Sequence, residues 1–281
     1  MPEKKNNHYI PRLILKNWIT TNSDKRKGVH VLDTVKNKRY FSSSEGKRGF
    51  SFAIGNDLYV PKIEGKRRVE LEDWFGGLEA TLAKTIVKLR SDKKESLFNS
   101  EQEMTKFVLA LFSFRHRTKY VIDKHRKYLD ENPDKLKLIS GRADDNKELI
   151  LLENIVNATK HDTIKLANFE IVVMKSKGTS LIMGDMPFLE NVVNGFNFLP
   201  ITNKIFIAFR STSEKSFYNV EEPGDELIES LNFAIASNSR YWIVADNISQ
   251  IAKYEQELKN NEDNEPTYTP MTFPMRGSVY K

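Results

Sequence analysis

Hydrophobic residues repeat with a helical period through the centre of the chain. Leucine, isoleucine and phenylalanine recur three or four residues apart over residues 69–89, which predicts one long helix with a single apolar stripe. A second long helix is predicted to start with Ser100 as its cap, because Glu103 completes a capping box, and to run to about Leu129 before an Asn-Pro pair. Residues 134–168 return to a helical pattern, so the central third is predicted to be mainly helical.

The segments on either side of these helices are rich in β-branched and aromatic residues. Residues 29–33 (VHVLD) and 38–42 (KRYFS) are separated by a short connection and predict a β-hairpin. A short amphipathic helix is predicted over residues 7–19, and an edge strand over residues 57–61. In the last third, the predicted strands are FEIVVM, SLIMGD, KIFIAF and RYWIVA, and the predicted helices cover residues 225–238 and 249–260.

Together these elements predict an α+β fold. It has an N-terminal β-hairpin region, central long helices and a C-terminal β-rich part with flanking helices. No linker-like segment interrupts the pattern, so residues 1–281 are predicted to form a single domain. Residues 261–281 carry prolines among polar residues, and we expect this tail to be irregular.

The composition is typical of a folded protein outside the membrane. Of the 281 residues, 39% are hydrophobic and 29% are charged, a mixture that can bury a sizeable core. The absence of cysteine excludes disulfides, cysteine-ligated zinc, iron–sulfur clusters and thiol catalysis. No apolar run approaches the roughly 20 residues of a membrane-spanning helix, and the N-terminus is polar. We therefore expect a cytoplasmic protein without a membrane partner.

Positive charge is concentrated near the N-terminus. Residues 1–95 carry 21 Lys and Arg against 12 Asp and Glu, whereas residues 169–281 carry 10 against 15. A basic face of this kind can hold phosphates by releasing their counterions, which makes nucleic acid a candidate partner. The alternative is a set of loop tips that lysine keeps soluble. The clusters are Lys25-Arg26-Lys27, Lys36 to Arg39, Lys47-Arg48 and Lys66-Arg67-Arg68.

Common catalytic motifs are absent from the sequence. It contains no Walker loop, GxGxxG, HExxH or GxSxG pattern. Asp57, Glu64 and Lys66 form a D…ExK pattern like that of metal-dependent nucleases, in which two carboxylates hold Mg²⁺ and the lysine steadies the phosphate. The spacing is short for that motif and the segment is predicted to be a loop, and both argue against a nuclease site there.

Arg115 is the most unexpected residue on a predicted apolar face. Extrapolated at 100° per residue, it lies within about 20° of Met104 on the inward stripe of the second long helix. A lone buried guanidinium is very costly, so Arg115 must be paired or must reach an anion. Two hypotheses follow: a buried ion pair or snorkelling side chain, or a fork that grips a phosphate or carboxylate.

Three further polar residues are candidates for the same site. Glu79 borders the stripe of the first long helix and is predicted to be a general base, a metal ligand or the counter-ion of Arg115. Asp185 follows the apolar run SLIMG, where a reactive group or an ordinary turn residue before a proline is expected. His8 stands three residues before Pro11, at the start of the first predicted helix, and is either an acid–base group or ligand, or a ring that packs or caps.

A series of short motifs runs in order along nearly the whole chain. In order they are His8-Tyr9-Ile10-Pro11-Arg12 with Leu15 and Trp18, Asp57-Leu58-Tyr59, Leu78-Glu79, Arg115, Gly184-Asp185-Met186-Pro187, Leu199-Pro200 and Asn232. This series resembles a large microbial family catalogued as a domain of unknown function, number four-two-three-eight. Trp18 departs from that family, where phenylalanine is usual. The resemblance implies a single α+β domain and marks His8, Glu79, Arg115 and Asp185 as motif residues, but it implies no activity.

Two functional hypotheses follow from these residues. The first is a metal-dependent phosphodiester hydrolase of nuclease type in a phage-related or defence setting. Glu79 and Asp185 would hold Mg²⁺ or Mn²⁺, His8 would be the base or third ligand, and Arg115 would hold the phosphate. The second is a non-catalytic binding or regulatory module in which the same four residues form a buried structural network.

Overall fold

The protein is described here by a computed structural model. It describes residues 6–46, 49–56, 58–63, 65–67, 69–90, 97–133, 147–165, 169–193, 195–212, 216–221 and 223–260. The chain divides into two compact units. The helical unit includes residues 6–9 and Gly55–Lys165, and the sheet unit includes Ile10–Ile54 and residues 169–260. The single domain stays a prediction, and the predicted tail, residues 261–281, lies outside the described residues.

The described elements fall into runs of strands and runs of helices, the order typical of an α+β fold. The helices are α1 (Arg12–Leu15), α2 (Glu70–Arg90), α3 (Glu101–His116), α4 (Lys119–Glu131), α5 (Lys147–Lys165), α6 (Asp225–Asn238) and α7 (Ile248–Asn260). The strands are β1 (Asn6–His8), β2 (Thr20–Thr21), β3 (Lys27–Asp33), β4 (Lys38–Ser43), β5 (Ile54–Asn56), β6 (Lys62–Ile63), β7 (Lys66–Arg67), β8 (Phe169–Lys175), β9 (Met183–Gly184), β10 (Leu189–Val193), β11 (Phe196–Pro200), β12 (Ile205–Ser211), β13 (Ser216–Glu221) and β14 (Trp242–Ala245). The predicted α+β class is confirmed.

The helical unit follows the predicted apolar stripes. On α2 the period of three or four places one row of side chains in the interior, and these are Phe75, Leu78, Leu82, Ile86 and Leu89. The hydroxyl of Ser100 accepts a hydrogen bond from the Glu103 amide at 3.1 Å, so the predicted cap of α3 is confirmed. On α5, Leu152 and Ile155 are buried.

The second predicted helix is broken in the structure. Residues 100–129 were predicted to form one helix, but α3 ends at His116 and α4 begins at Lys119. Thr118 has extended backbone angles, and its hydroxyl accepts a hydrogen bond from the Val121 amide at 3.4 Å. A threonine that caps a new helix in this way competes with continuation of the preceding one. The break places Arg117 outside both helices.

The sheet unit contains the predicted hairpin. Strands β3 and β4 pair antiparallel from Gly28 opposite Ser43 to Asp33 opposite Lys38. Among the described strands, this hairpin belongs to a five-stranded sheet. Four of its strands follow the order β2-β3-β14-β9, and β4 pairs with β3 outside that order. A second sheet has the order β10-β11-β12-β8-β13, in which β13 runs parallel to β8 and the other pairs are antiparallel.

Both sheets and helices α6 and α7 contribute to the core of the sheet unit. The buried side chains include Leu32, Val172, Ile182, Phe206, Leu231, Ile243 and Ile251. Asn232 of α6 is fully buried among them, and its side-chain amide accepts from the Ile182 amide at 2.9 Å and donates to the Ser180 carbonyl at 2.9 Å. Asn232 therefore supplies the partners that this irregular stretch of backbone lacks.

Several local predictions were wrong. The predicted edge strand over residues 57–61 is a turn over residues 58–59 in the described part, and the strand lies earlier, in β5. The predicted helix over residues 7–19 is reduced to α1 and a 3₁₀ turn at Lys16–Trp18, because β1 occupies the first positions. Strands β10, β11 and β13 had no counterpart in the prediction.

Replacing Asn232 tests the role of its buried amide. Asn232→Leu leaves the Ile182 amide without a partner and the Ser180 carbonyl with only its bond from Gln250, so we expect the free energy of unfolding to fall by about 2 kcal/mol. Urea denaturation followed by tryptophan fluorescence measures this, since Trp18 and Trp242 lie in the same unit. The exposed Ser230→Ala on the same helix is the control and should change the value by less than about 0.5 kcal/mol. Equal stability of the two variants would contradict the assignment.

Candidate functional site

A buried arginine lies between α3 and α4. The Arg117 side chain is 2% exposed, and its Nη2 donates to Oε1 of Glu79 at 2.7 Å. Glu79 projects from α2, and its side chain is 29% exposed, so the pair reaches from the interior of the helical unit towards its surface. Isolated charges are costly in a low-dielectric interior, which makes this pair a strong constraint on the packing of α2 against the α3–α4 junction.

The guanidinium of Arg117 has further neighbours. Its carbon lies 4.7 Å from the ring centre of Phe75 and 5.2 Å from that of Tyr59. Nε donates to the Tyr59 hydroxyl at 3.3 Å and Nη2 also donates to the carbonyl of His8 at 3.4 Å, while Nη1 has no partner among the described residues. We call these five residues, His8, Tyr59, Phe75, Glu79 and Arg117, the Arg117 cluster.

Electrostatic interactions keep the Arg117 guanidinium protonated. Burial by itself would lower the pKa of Arg117, but Tyr59 and Glu79 outweigh it and raise that pKa above its ordinary value. Burial raises the pKa of the Tyr59 hydroxyl, so Tyr59 stays neutral and can donate or accept hydrogen bonds. The cluster therefore presents a fixed cation beside a half-buried carboxylate.

Arg115 forms an ion pair, as predicted, but its partner is not the predicted one. Its side chain is 19% exposed and donates to Oδ2 of Asp162 on α5 at 2.7 Å, so the expected pairing of the guanidinium exists. The predicted counter-ion, Glu79, is bonded to Arg117 instead. Arg115 lies within α3, before the break, so its helical position is unaffected; its partner was missed because Asp162 is 47 residues away in the sequence, on α5.

His116 shares the carboxylate of Asp162. Its Nε2 lies 2.8 Å from Oδ2 of Asp162, and Nδ1 is buried with no partner among the described residues. His161 Nδ1 lies 3.8 Å from the other oxygen, Oδ1. Burial lowers the pKa of His116 in spite of Asp162, so the neutral ring donates from Nε2. Burial would raise the pKa of Asp162, but its bond to His116 and the charge of Arg115 lower it.

Asp185 is held by backbone amides of the sheet unit. It is 2% exposed, and Oδ1 accepts from the amides of Arg240, Tyr241 and Trp242 at 2.8, 2.9 and 3.2 Å. Its own amide donates to the Trp242 carbonyl at 3.1 Å. Burial raises the pKa of Asp185 to about 6, against the opposing effect of these amides. Asp185 therefore fixes the start of β14.

The four predicted site residues lie in three separate groups of contacts. His8, through its carbonyl, and Glu79 meet at Arg117; Arg115 belongs to the Asp162 group; and Asp185 belongs to the other unit. Their catalytic roles stay predictions. Asp57 and Glu64 of the D…ExK pattern lie outside the described residues.

Sequence reasoning missed Arg117 and Asp162. The sequence contained a pattern that could have identified Asp162, because it follows Ile155 and Thr159 at helical spacing. The structure shows that both of these residues are fully buried. For Arg117 the only such pattern was Thr118 directly after it, a residue type that caps helices. Within the described residues, no group of three or more His, Asp and Glu is arranged to hold a metal ion. The predicted metal ligands Glu79 and Asp185 therefore stay predictions, as does Mg²⁺ or Mn²⁺.

Comparison with known families assigns the chain to one of them. The model of the family described as Protein of unknown function (DUF4238) matches residues 6–249. The chain belongs to the DUF4238 family. Neither a curated protein nor a solved structure matches it. No described helix of this DUF4238 protein combines the length and apolar character that a membrane crossing requires.

Removing Glu79 tests the Arg117 cluster. Glu79→Ala leaves a buried guanidinium without its counter-ion, and we expect the free energy of unfolding to fall by about 3 kcal/mol. The fluorescence of Trp74, in the same unit, reports the transition during urea denaturation. Glu131→Ala removes a side chain that is 60% exposed and 3.8 Å from Lys127, so it should cost less than about 1 kcal/mol. A loss no larger than that of the control would disprove the constraint.

Acid should weaken the helical unit through His125. Burial, His116 and Lys124 lower the pKa of His125 to about 4, from an ordinary value of 6.5. The unfolded chain therefore binds this proton first as the pH falls, and stability is lost between about pH 6.5 and pH 4, on the order of 3 kcal/mol. Urea titrations at several pH values should show this loss in the wild type and a smaller one in His125→Gln. Identical pH profiles would refute it.

Proposed function

We propose that this DUF4238 protein is a non-catalytic binding module of the cytoplasm whose partner is an anionic, phosphate-bearing polymer such as nucleic acid. One observation carries the non-catalytic part. The polar side chains singled out by the sequence are each engaged in a separate structural bond: Glu79 with Arg117, Arg115 with Asp162, and Asp185 with three backbone amides. Such bonds support a structural network rather than a reacting centre.

The setting of Asp185 argues most directly in this direction. A metal ligand or general base must expose a lone pair to the substrate or ion. Asp185 is almost fully buried, and its Oδ1 already accepts from the backbone of residues 240–242. A carboxylate that organises the start of a strand in this way has little freedom to move towards a substrate.

The basic ends of the β3–β4 hairpin support the choice of partner. Lys25 and Lys27 at one end and Lys38 at the other are exposed. Their neighbours are partly neutralised, since Arg26 pairs with Asp24 at 2.7 Å and Lys36 with Asp33 at 3.5 Å. Exposed lysines hold phosphates without reading a sequence, so the expected binding is salt-dependent and non-specific. Lys47, Arg48 and Arg68 lie outside the described residues.

A metal-dependent phosphodiester hydrolase is the second candidate. The Arg117 cluster favours it, because a fixed guanidinium stands beside the half-buried carboxylate of Glu79 and the backbone of His8. In this hypothesis Arg117 would share the phosphate-holding role with Arg115, and Glu79 would remain a ligand for Mg²⁺ or Mn²⁺.

Charge reversal on the hairpin tests the binding function. We expect Lys25→Glu/Lys27→Glu to weaken binding of a fluorescent DNA or RNA duplex of any sequence. The slope of log K against log salt should become shallower by about 2, because two phosphate contacts are lost. Fluorescence anisotropy at several salt concentrations measures both changes.

A matched control removes the effect of net charge. Lys84→Glu/Lys106→Glu makes the same change at two exposed lysines of α2 and α3, and it should leave the slope unchanged. Equal weakening by both double variants would reject the hairpin as the binding surface. Cleavage of the duplex with Mg²⁺ or Mn²⁺ that is lost in folded Glu79→Gln would instead favour the hydrolase.

A further inference from the structure

The β3–β4 hairpin and the turn before it carry a net positive charge. Residues 22–45 contain six Lys and Arg against three Asp and Glu. Half of these cations pair with an acid, and the pairs are Arg26 with Asp24, Lys36 with Asp33, and Arg39 with Glu255. The others, Lys25, Lys27 and Lys38, are exposed and form no ion pair with a described residue. The remaining acid, Glu45, is exposed as well, so a net positive charge is left on the hairpin.

These three lysines lie at opposite ends of the hairpin. Lys27 is the first of the seven residues of β3, and Lys38 lies opposite the last one, Asp33. Each residue of a strand advances it by about 3.3 Å, so Lys27 and Lys38 are about 20 Å apart along the hairpin. Alternate residues of a strand point to the same face, and residues that lie opposite each other share a face. Lys27 and Lys38 therefore project from the same face of the hairpin.

The turn before β3 holds Lys25 in a fixed position. Asn22 Oδ1 accepts from the amides of Asp24 at 3.1 Å and Arg26 at 2.9 Å, and the Lys25 amide donates to the Asn22 carbonyl at 3.0 Å. The φ angle of Lys25 is 61°, in the left-handed region that glycine adopts far more readily. A lysine is thus held in a strained backbone conformation, and since it forms no ion pair with a described residue, its charge stays available to a partner.

The face between the two ends carries no lysine or arginine. On β3 it consists of Val29 and Val31, which are fully buried. Opposite them on β4 lie Ser42, which is 6% exposed, and Tyr40, which is partly exposed. The two ends are therefore separate points of contact, with neutral surface between them.

We propose that the two ends of the hairpin form one bipartite site for a nucleic-acid duplex, in which Lys25 and Lys27 hold phosphates at one end and Lys38 holds a phosphate at the other. A duplex rises by about 3.4 Å per base pair, so about six base pairs span the distance between the ends. The bipartite site depends on the proposed function, because the hairpin must first bind nucleic acid.

A duplex suits this arrangement better than a single strand. A duplex is stiff over about 150 base pairs, so the distance between its phosphates is set before binding and the second contact needs little further ordering. A single strand has to be ordered across the neutral face, and stacking on exposed aromatic rings is what compensates for such ordering. Within residues 22–45, all of which the structure describes, Tyr40 and Phe41 are only partly exposed. The hairpin thus provides phosphate contacts without a stacking surface.

Neutralising Lys38 tests whether both ends meet the same duplex. In fluorescence anisotropy with a labelled duplex of about 12 base pairs, we expect Lys38→Gln to weaken binding. The slope of log K against log salt should become shallower by about 1, because one phosphate contact is lost. Titration at saturating concentration should give no more than one duplex per protein. Lys38→Gln should leave binding of a single strand of the same sequence unchanged, and Lys84→Gln, at an exposed lysine of α2, should leave both affinities unchanged.

Lys25→Gly separates lost binding from lost folding. Glycine adopts the left-handed conformation without strain, so we expect a thermal melting midpoint close to that of the wild type. The salt slope should nevertheless become shallower by about 1, because a phosphate contact is lost. Asn37→Gly makes the same backbone change in the turn at the other end, where φ is 48°, and should leave the slope unchanged. An unchanged slope in Lys25→Gly would exclude Lys25 from the site.

Failure of the bipartite site is distinguishable from failure of the proposed function. If the wild type binds no duplex, both are removed. If Lys25→Glu/Lys27→Glu weakens duplex binding and Lys38→Gln does not, the function stands and the bipartite site is overturned, as it is by two duplexes per protein. A single strand that binds as tightly as the duplex would overturn the choice of partner, and so would polyglutamate that competes equally well at equal charge.

Discussion

The buried charge of Arg117 is the constraint on which the helical unit depends. A guanidinium cannot lose its proton under ordinary conditions, so a buried one must be surrounded by acceptors or aromatic faces. Glu79, Tyr59, Phe75 and the His8 carbonyl provide these from separate parts of the unit. Because Arg117 lies between two helices, the same contacts that neutralise it fix where α3 ends and α4 begins.

The sheet unit solves a related problem with neutral and acidic side chains. Several backbone segments there have amides and carbonyls that no neighbouring strand satisfies. Asn232 bonds to Ser180 and Ile182, and Asp185 bonds to the amides that precede β14. Trp18 donates to the Leu181 carbonyl at 2.7 Å and serves the same stretch. Polar side chains here replace the regular ladder of a sheet.

These bonds give a physical meaning to residues on which the resemblance to the DUF4238 family rests. Glu79, Asp185 and Asn232 all belong to the series that carries the resemblance, and each makes a buried or half-buried bond that holds the fold. A shared motif can therefore mark a structural bond rather than a reacting group. This is the physical basis for favouring a binding module over a hydrolase.

The sequence by itself determined the parts of the protein that depend on local periodicity. Helix α2, the Ser100 cap, the β3–β4 hairpin and helix α6 follow from side-chain spacing and capping residues, because these are decided within a few residues. The sequence also predicted that Arg115 needs a partner and gave Glu79 as a candidate for it. Only the tertiary structure decided which partners they have. Arg117, in the two-residue break after α3, pairs with Glu79, and Arg115 pairs with Asp162 on α5, since long-range pairing depends on packing that no local pattern encodes.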